Sequence, residues 1–442
     1  MDLPLLMSDH TLLEALNPDR SGYTPTDLPL GVVQATCVQD VVDTLTYAHK
    51  HHIPVVTRGA GSGLAGGSVA SGGEILLDLS KMNRILSLDA SEQIVVVEPG
   101  VLTSAISEAA APHGLFYAPD PASMTYSSVG GNIATNAGGM RCAKYGVTKD
   151  SVLGLTVVLA DGSVLKTGGP TMKKAAGFDL TALMVGSEGT LGVVVEATLR
   201  LRNLSPHLAT TVAYFASVDD AARCASAVVS SGVQPMSLEL MDGKTLEVVD
   251  RVTGTQHAHK GQALLLIQTD GLGSALEMDV VAKVVAQFTT ETETTTNSLE
   301  ADLWMKARRD AVPALETLGH AHVGDIGVPR VALADMIHEL HDISERHSIE
   351  IYTVGHAGDG NLHPVIVLPP GTGLEDEPVK SVFDEIFVAA KKLGGTLTGE
   401  HGVGVVKRDW LVQELGERSL ELQHGIKKVF DPMGILNPGK AI

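Results

Sequence analysis

The feature that most constrains this chain is a glycine-rich loop set between two short apolar runs. Residues 57–67 read TRGAGSGLAGG, and Gly61-Ser62-Gly63-Leu64-Ala65-Gly66 within them fits the G-x-G-x-x-G pattern of a dinucleotide-binding turn. The run before it, IPVVTRG at 53–59, is β-branched and ends on glycine, as a strand feeding such a turn should. The segment after the loop does not fit. The pattern requires its last glycines to open a helix that crosses to a parallel strand, a connection of about a dozen residues or more. Only SVASGG separates Gly67 from the next strand-like run, EILLDLS. No such crossover is expected, and the loop reads instead as a nest of backbone N–H groups able to approach a phosphate-rich ligand.

The 442 residues suffice for two or three domains, and 44% apolar with 19% charged side chains describe a globular protein. The 32 basic side chains against 52 acidic ones leave a net charge of −20, which opposes binding to nucleic acid or anionic lipid. An anionic substrate would need a local cation. Cys37, Cys142 and Cys224 are too scattered for a disulfide framework or an iron–sulfur site. The opening MDLPLLMSDH has no basic leader region, and no apolar run approaches the about 18 residues of a membrane span. A cytoplasmic protein without a transmembrane segment is expected, or one held at the inner face of the membrane through a partner.

Glycine, 47 residues in all, is abundant, and its clusters predict short strands joined by tight turns. A helix is expected from a capping box at Thr36-Cys37-Val38-Gln39, with Val38, Val41, Val42, Leu45 and Ala48 on one face. Strands are expected at 93–100 and 189–202, with a hairpin over 152–168 turning at Asp161-Gly162. After Pro206, strand and helix patterns alternate in a way that suggests a separate α+β domain on a mostly antiparallel sheet. The polar tract TTETETTTNSLE at 289–300 reads as a solvated edge or loop.

Two more glycine-rich segments join the first, SSVGGNIATNAGGMRCAKYG at 127–146 and GSEGTLGVV at 186–194. Any one alone would suit turns or close strand packing; three together point to one long cofactor lined by backbone. A second constellation lies in YTVGHAGDGNLHPVIVL, 352–368, where two β-branched runs flank a turn-rich centre. A hairpin there would bring His356 and His363 near its closed end. GTLTGEHGVGVVK at 395–407 adds Glu400 and His401. Two imidazoles and a carboxylate can ligate a divalent metal with positions left open for substrate, although hairpin histidines alone are commonly structural or surface groups. DLWMKARRDAVPAL at 302–315 reads as a helix stopped near Pro313, its arginines either a solvated face or a cation for an anionic substrate.

In order along the chain, and together with APDPAS at 118–123 and LNPGK near the end, these segments resemble the vanillyl-alcohol oxidase and p-cresol methylhydroxylase superfamily. More narrowly, they are similar to its D-lactate dehydrogenase and glycolate oxidase large-subunit branch, from about residue 25 to Lys440. The resemblance implies an α+β protein with a two-part FAD-binding domain of p-cresol methylhydroxylase type and an α+β cap, or substrate, domain with an antiparallel sheet. It places the FAD-binding domain at 1–205, the cap at 206–400 and a C-terminal segment returning to the FAD domain at 401–442. It implies FAD held by Arg58, Gly59, Ala60, Gly61, Ser62, Gly63 and Gly67 around the pyrophosphate. Ser128, Gly130, Gly131, Ala134, Thr135, Asn136, Gly138, Gly146, Glu188, Gly192, Val194 and Asn437 would line the rest. Covalent flavin in relatives often uses a histidine or cysteine; the first loop has neither, so FAD is expected to be noncovalent. The branch carries the same GHxGDGNxH and GEHG segments, which implies a metal on His356, His363 and Glu400, with His401 as base and Arg308 gripping the substrate carboxylate. Arg309 is a substitute, because the spacing from Trp304 is one residue longer than usual. Zinc is the expected metal, with manganese, iron or cobalt as alternatives.

The implied reaction oxidises a small D-2-hydroxy acid, D-lactate or glycolate in type, to the 2-oxo acid, hydride going to flavin N5 and the proton to His401. Relatives acting on D-2-hydroxyglutarate carry a lysine and an asparagine at positions held here by Val323 and Val365, so that alternative ranks lower. Without haem or cluster ligands, reduced flavin requires an external acceptor: quinone, cytochrome or an electron-transfer protein. Alternatives of other classes are a metallohydrolase, a noncatalytic FAD subunit and a non-redox alkylglycerone-phosphate synthase. Oligomeric state is open, a homodimer included.

Overall fold

The computed structural model describes residues 3–442 apart from 369 and 375. The chain forms two compact units. The first comprises the residues up to Gly138 together with Gly146–Leu204 and Glu400–Ile442; the second comprises Gly139–Tyr145 and Ser205–Gly399.

In the first unit, strands Gly31–Gln34 and Val55–Arg58 flank Ile75–Asp78 in a small sheet, both parallel to it. Val55 stands opposite Ile75 and Arg58 opposite Asp78, so the crossover judged too short from the sequence does exist. Residues 59–74 make it without a helix. Gly61 and Gly66, at φ of +70° and +74°, supply reversals that L side chains resist, and these replace the helix as the means of return. The dinucleotide-binding architecture is still absent, because no helix starts at the loop.

Helix Val38–His51 starts one residue later than the capping box predicted. Cys37 is the N-cap, and the Asp40 carboxylate accepts the amides of Thr36 at 2.8 Å and Cys37 at 3.3 Å. Val41, Leu45 and Ala48 pack with Val33, Val55 and Ile75 in one core, whereas Val38, expected on that face, is exposed. Five antiparallel strands form a second sheet in the order Ile85–Asp89, Ile94–Val97, Val193–Arg200, Val152–Val158, Val164–Gly168, and Leu115–Phe116 pairs with Arg202–Asn203 in a third. The last two strands of the five form the expected hairpin, with Gly162 at φ +84°.

The second unit is built on an eight-stranded sheet whose pairings are all antiparallel. Leu208–Phe215, Ala263–Asp270, Ser237–Asp242, Ile351–His356 and Asn361–Val367 are successive neighbours within it. The polar tract provides an edge strand, Thr292–Thr295, and the start of helix Ser298–Glu316. That helix runs through Pro313 instead of stopping there. Ala307, Ala311, Ala314 and Leu315 bury against the sheet, and this packing offsets the hydrogen bond that proline cannot make. Because strand side chains alternate, one sheet face carries Val212, Tyr214, Met241, Leu264, Leu266, Val354 and Val365 beneath that helix. Each large apolar group buried there contributes about 1.5–3 kcal/mol. Segment Gly139–Tyr145 joins this unit through Lys144 and Tyr145, whose side chains bond the two Asp270 carboxylate oxygens at 2.5 and 2.6 Å.

Candidate metal and cofactor sites

His356 ends one strand of a hairpin and His363 lies in the other. The register sets Val354 opposite His363 and His356 opposite Asn361. Val354 and His356 share a face, and His363, paired with Val354, shares it too. The imidazole centroids stand 5.2 Å apart, nearly perpendicular at 86°. Both histidines are buried, at the end of the same face whose middle is the apolar core.

Glu400 comes directly after Gly399, whose amide donates to Asp325 at 2.9 Å. Asp325, itself buried, also accepts from Thr398 Oγ1 at 2.5 Å and Asn361 Nδ2 at 2.7 Å, fixing the chain just before Glu400 to the hairpin strand. One ligand atom from each of His356, His363 and Glu400 lies within 4.8 Å of the others.

The tautomers suit a cation. His356 Nδ1 lies 2.8 and 2.9 Å from the two oxygens of Glu239, which as a carboxylate only accepts, so Nδ1 carries the proton and Nε2 the lone pair. His363 Nδ1 faces the Gly324 carbonyl at 3.1 Å, with the same result. Two imidazole lone pairs and a carboxylate in a buried setting fit zinc or a related divalent ion.

His401 Nε2 lies 3.8 Å from Glu400 Oε1, and its side chain is mostly buried. The loop after it is tied down within the first unit. Val403 and Gly404 donate their amides to Glu188 at 2.8 Å each, and Val405 donates to the Ala65 carbonyl at 2.8 Å. The predicted cofactor loop and the loop bearing His401 are thus hydrogen-bonded to each other.

The remaining predicted cofactor residues all lie in the first unit. Arg58 ends its strand buried, its Nη1 donating to the Asn17 carbonyl at 3.2 Å. Gly59, Ala60, Gly61, Ser62, Gly63 and Gly67 form the loop, and the Ala60 amide donates to Ser128 Oγ at 3.1 Å. Ser128 is the N-cap of helix Val129–Thr135, which contains Gly130, Gly131, Ala134 and Thr135; Asn136 closes it in the left-handed region, just ahead of Gly138. Gly146 sits before helix Thr148–Ser151, and Val194 lies in strand Val193–Arg200 just after Gly192. Gly130 and Gly192 answer to protein packing, since a Cβ would meet Pro99 Cβ at 2.6 Å or Val157 Cγ1 at 2.4 Å. Asn437 spends its side chain on backbone, donating to the carbonyls of Glu188 at 2.6 Å and Gly67 at 3.1 Å and accepting from Thr57 at 3.0 Å. It clasps the loops together.

Residues 204–441 match the family described as FAD linked oxidases, C-terminal domain, and residues 29–168 match the FAD binding domain. The chain belongs to the FAD-linked oxidases. It is 40% identical to the glycolate oxidase subunit GlcD of Bacillus subtilis (strain 168) over 417 residues, covering 93% of this chain and 89% of that one. It is 36% identical to the D-lactate dehydrogenase of Archaeoglobus fulgidus over 415 residues, covering 93% and 91%. The solved structure of p-cresol methylhydroxylase with substrate bound superposes with a TM-score of 0.82 at 18% identity, covering 99% of this chain and 93% of that one, a likeness of fold.

In this FAD-linked oxidase Gly61 of the glycine-rich loop sits at φ +70° with the Arg58 guanidinium packed against it, where a Cβ would collide. Arg308 is buried and donates from Nε to Glu239 at 2.9 Å; Arg309 is largely solvent-facing and pairs with Asp302 at 2.7 Å. Arg308 shares its partner Glu239 with His356. Sequence reasoning missed Glu239. Its signal was an acidic residue in SLELMD, a strand buried at every position. No helix among the described residues is long and apolar enough to cross a membrane.

Proposed function

We propose that this FAD-linked oxidase oxidises a small D-2-hydroxy acid, glycolate or D-lactate in type, to the 2-oxo acid. The observation that carries the reading is the convergence of His356, His363 and Glu400 in a chain so similar to a glycolate oxidase subunit and a D-lactate dehydrogenase. When bound, FAD supplies the hydride acceptor and a divalent ion, zinc or else manganese, iron or cobalt, supplies Lewis acidity at the substrate hydroxyl.

The chain's own residues do the rest. His356 and His363 present Nε2 and Glu400 a carboxylate to the ion, while His401, next in sequence, takes the hydroxyl proton. Arg308 grips the substrate carboxylate. A bond from Nε to Glu239 leaves the two Nη groups of its fork for that purpose. The cation also answers the chain's net charge of −20, which would otherwise repel an organic acid. Val323 and Val365 face each other across two strands, and Val365 is fully buried, so a second carboxylate finds no cation at either position. This ranks D-2-hydroxyglutarate below monocarboxylic substrates. The first unit acts as the FAD-binding domain and the second as the cap. Electrons leave to an external quinone, cytochrome or electron-transfer protein, and the enzyme works in the cytoplasm.

An anaerobic screen of D- and L-2-hydroxy acids tests the reading. D-lactate or glycolate should bleach the flavin absorption, L-lactate should not, and a chelator should stop the bleaching. Flavin that dithionite reduces but no 2-hydroxy acid bleaches would overturn it.

A further inference from the structure

Glu239 is fully buried, yet it meets two donors of different purpose. Both its oxygens face His356 Nδ1, at 2.8 and 2.9 Å, and Oε2 also accepts Arg308 Nε at 2.9 Å. The three residues come from three elements: strand Ser237–Asp242, helix Ser298–Glu316 and strand Ile351–His356. Glu239 stands directly opposite His356 in the sheet register, so backbone pairing sets the first contact. The second contact depends on where the helix rests on the apolar face.

A buried carboxylate is costly unless it is paired and hydrogen-bonded. Its presence at the centre of a strand buried at every position therefore calls for a compensating task. His363 needs no such group, because the Gly324 carbonyl already fixes its tautomer. For His356, the carboxylate fixes the tautomer and the orientation of the ring. By taking Arg308 as well, the same carboxylate ties the orientation of a substrate-gripping fork to that of a metal-ligating ring.

We infer that Glu239 is a positioning residue that couples the metal to the grip on the substrate carboxylate, holding His356 as an Nε2 ligand and aiming the Arg308 fork. The inference rests on the roles proposed above for His356 and Arg308. It makes Glu239 a determinant of both metal affinity and substrate KM, although it touches neither ion nor substrate.

The test uses the FAD-loaded protein and the variant Glu239→Gln. An amide has one acceptor oxygen, so it serves either His356 or Arg308 and turns an N–H toward the other. Titration with zinc against a competing chelator should show metal binding weakened by about 10- to 100-fold. At saturating metal, the KM for D-lactate should rise by a larger factor than kcat falls, a split that a merely structural role would not produce. Arg223→Ala, which breaks only an exposed pair with Asp220, should change neither quantity. Wild-type zinc affinity and KM in a folded Glu239→Gln protein with full flavin content would overturn the inference. If that variant does not fold, Glu239→Asp is read in the same way, weakened zinc binding supporting the coupling and unchanged binding overturning it. Zinc affinity is measured without turnover. A wild-type protein that binds zinc but is bleached by no hydroxy acid therefore overturns the proposed function alone.

Discussion

Glu188 Oε2 accepts the backbone amide of Gly404 at 2.8 Å, while its Oε1 accepts that of Val403 at the same distance. The residue is buried, and its own backbone sits at a φ of +48°, so the carboxylate is held against the loop that begins at Glu400. Glu188→Ala leaves two amides without acceptors at about 1–3 kcal/mol each. Thermal denaturation should show that loss, and turnover should fall with it because the loop carries His401. Burial pushes the Glu188 carboxyl above its ordinary value, against the opposing pull of the Val403 and Gly404 amides and the Lys407 charge. A raised folded value means the folded state holds its proton longer, so the stabilisation is complete at acid pH and declines as pH rises through that value. The stability gap between wild type and Glu188→Gln should therefore narrow as pH rises from below the ordinary carboxyl value toward neutrality. A gap that widens would contradict the sign.

Asp325 gathers Asn361, Thr398 and Gly399 and so sets where Glu400 begins. Asp325→Ala frees all three donors. Metal affinity should drop by about 10- to 100-fold, the range for outer partners of metal ligands. Flavin content should stay unchanged, since the proposed cofactor loops lie in the other unit. Metal analysis of purified protein beside its absorption spectrum separates the two effects.

Local patterns carried much of this architecture. The glycine segments, the hairpin at Asp161-Gly162 and the convergence of His356 with His363 all arise from turn chemistry and strand alternation within about 20 residues. What failed to show in the sequence depends on pairing between distant segments. The parallel neighbours Val55–Arg58 and Ile75–Asp78 escaped because a helix-free crossover looked too short. The placement of Gly139–Tyr145 in the second unit hangs on Asp270, more than a hundred residues away. Glu239 escaped because its partners His356 and Arg308 come from other elements, and an isolated acidic residue in a strand carries no spacing to read.

Cys224 is buried in helix Val218–Ser230, and burial pushes its thiol up to about 12. The thiolate is the reactive form, so Cys224 should resist iodoacetamide in the native protein at pH about 8.5. Exposed Cys37 should be labelled first, and Cys224 only after urea. Its contribution to stability is complete below the ordinary thiol value and is lost as pH rises from there toward about 12. Peptide mass spectrometry of native and denatured samples reads the labelling order; prompt native labelling of Cys224 would contradict the burial.

His401 gives the sharpest separation of binding from chemistry. It adjoins Glu400 in sequence, with its Nε2 3.8 Å from the carboxylate, yet it is not one of the three groups whose ligand atoms converge. His401→Ala should therefore retain metal and FAD while losing the proposed proton acceptor, a loss of about 10²- to 10⁴-fold in the rate of flavin bleaching. Stopped-flow reduction by D-lactate under anaerobic conditions measures that step directly. Glu400→Gln should behave differently, because it removes a ligand charge: metal content falls, and added metal restores part of the rate. Bleaching at the wild-type rate in His401→Ala would assign the proton to another group, whereas metal loss in that variant would make His401 a ligand instead of a base.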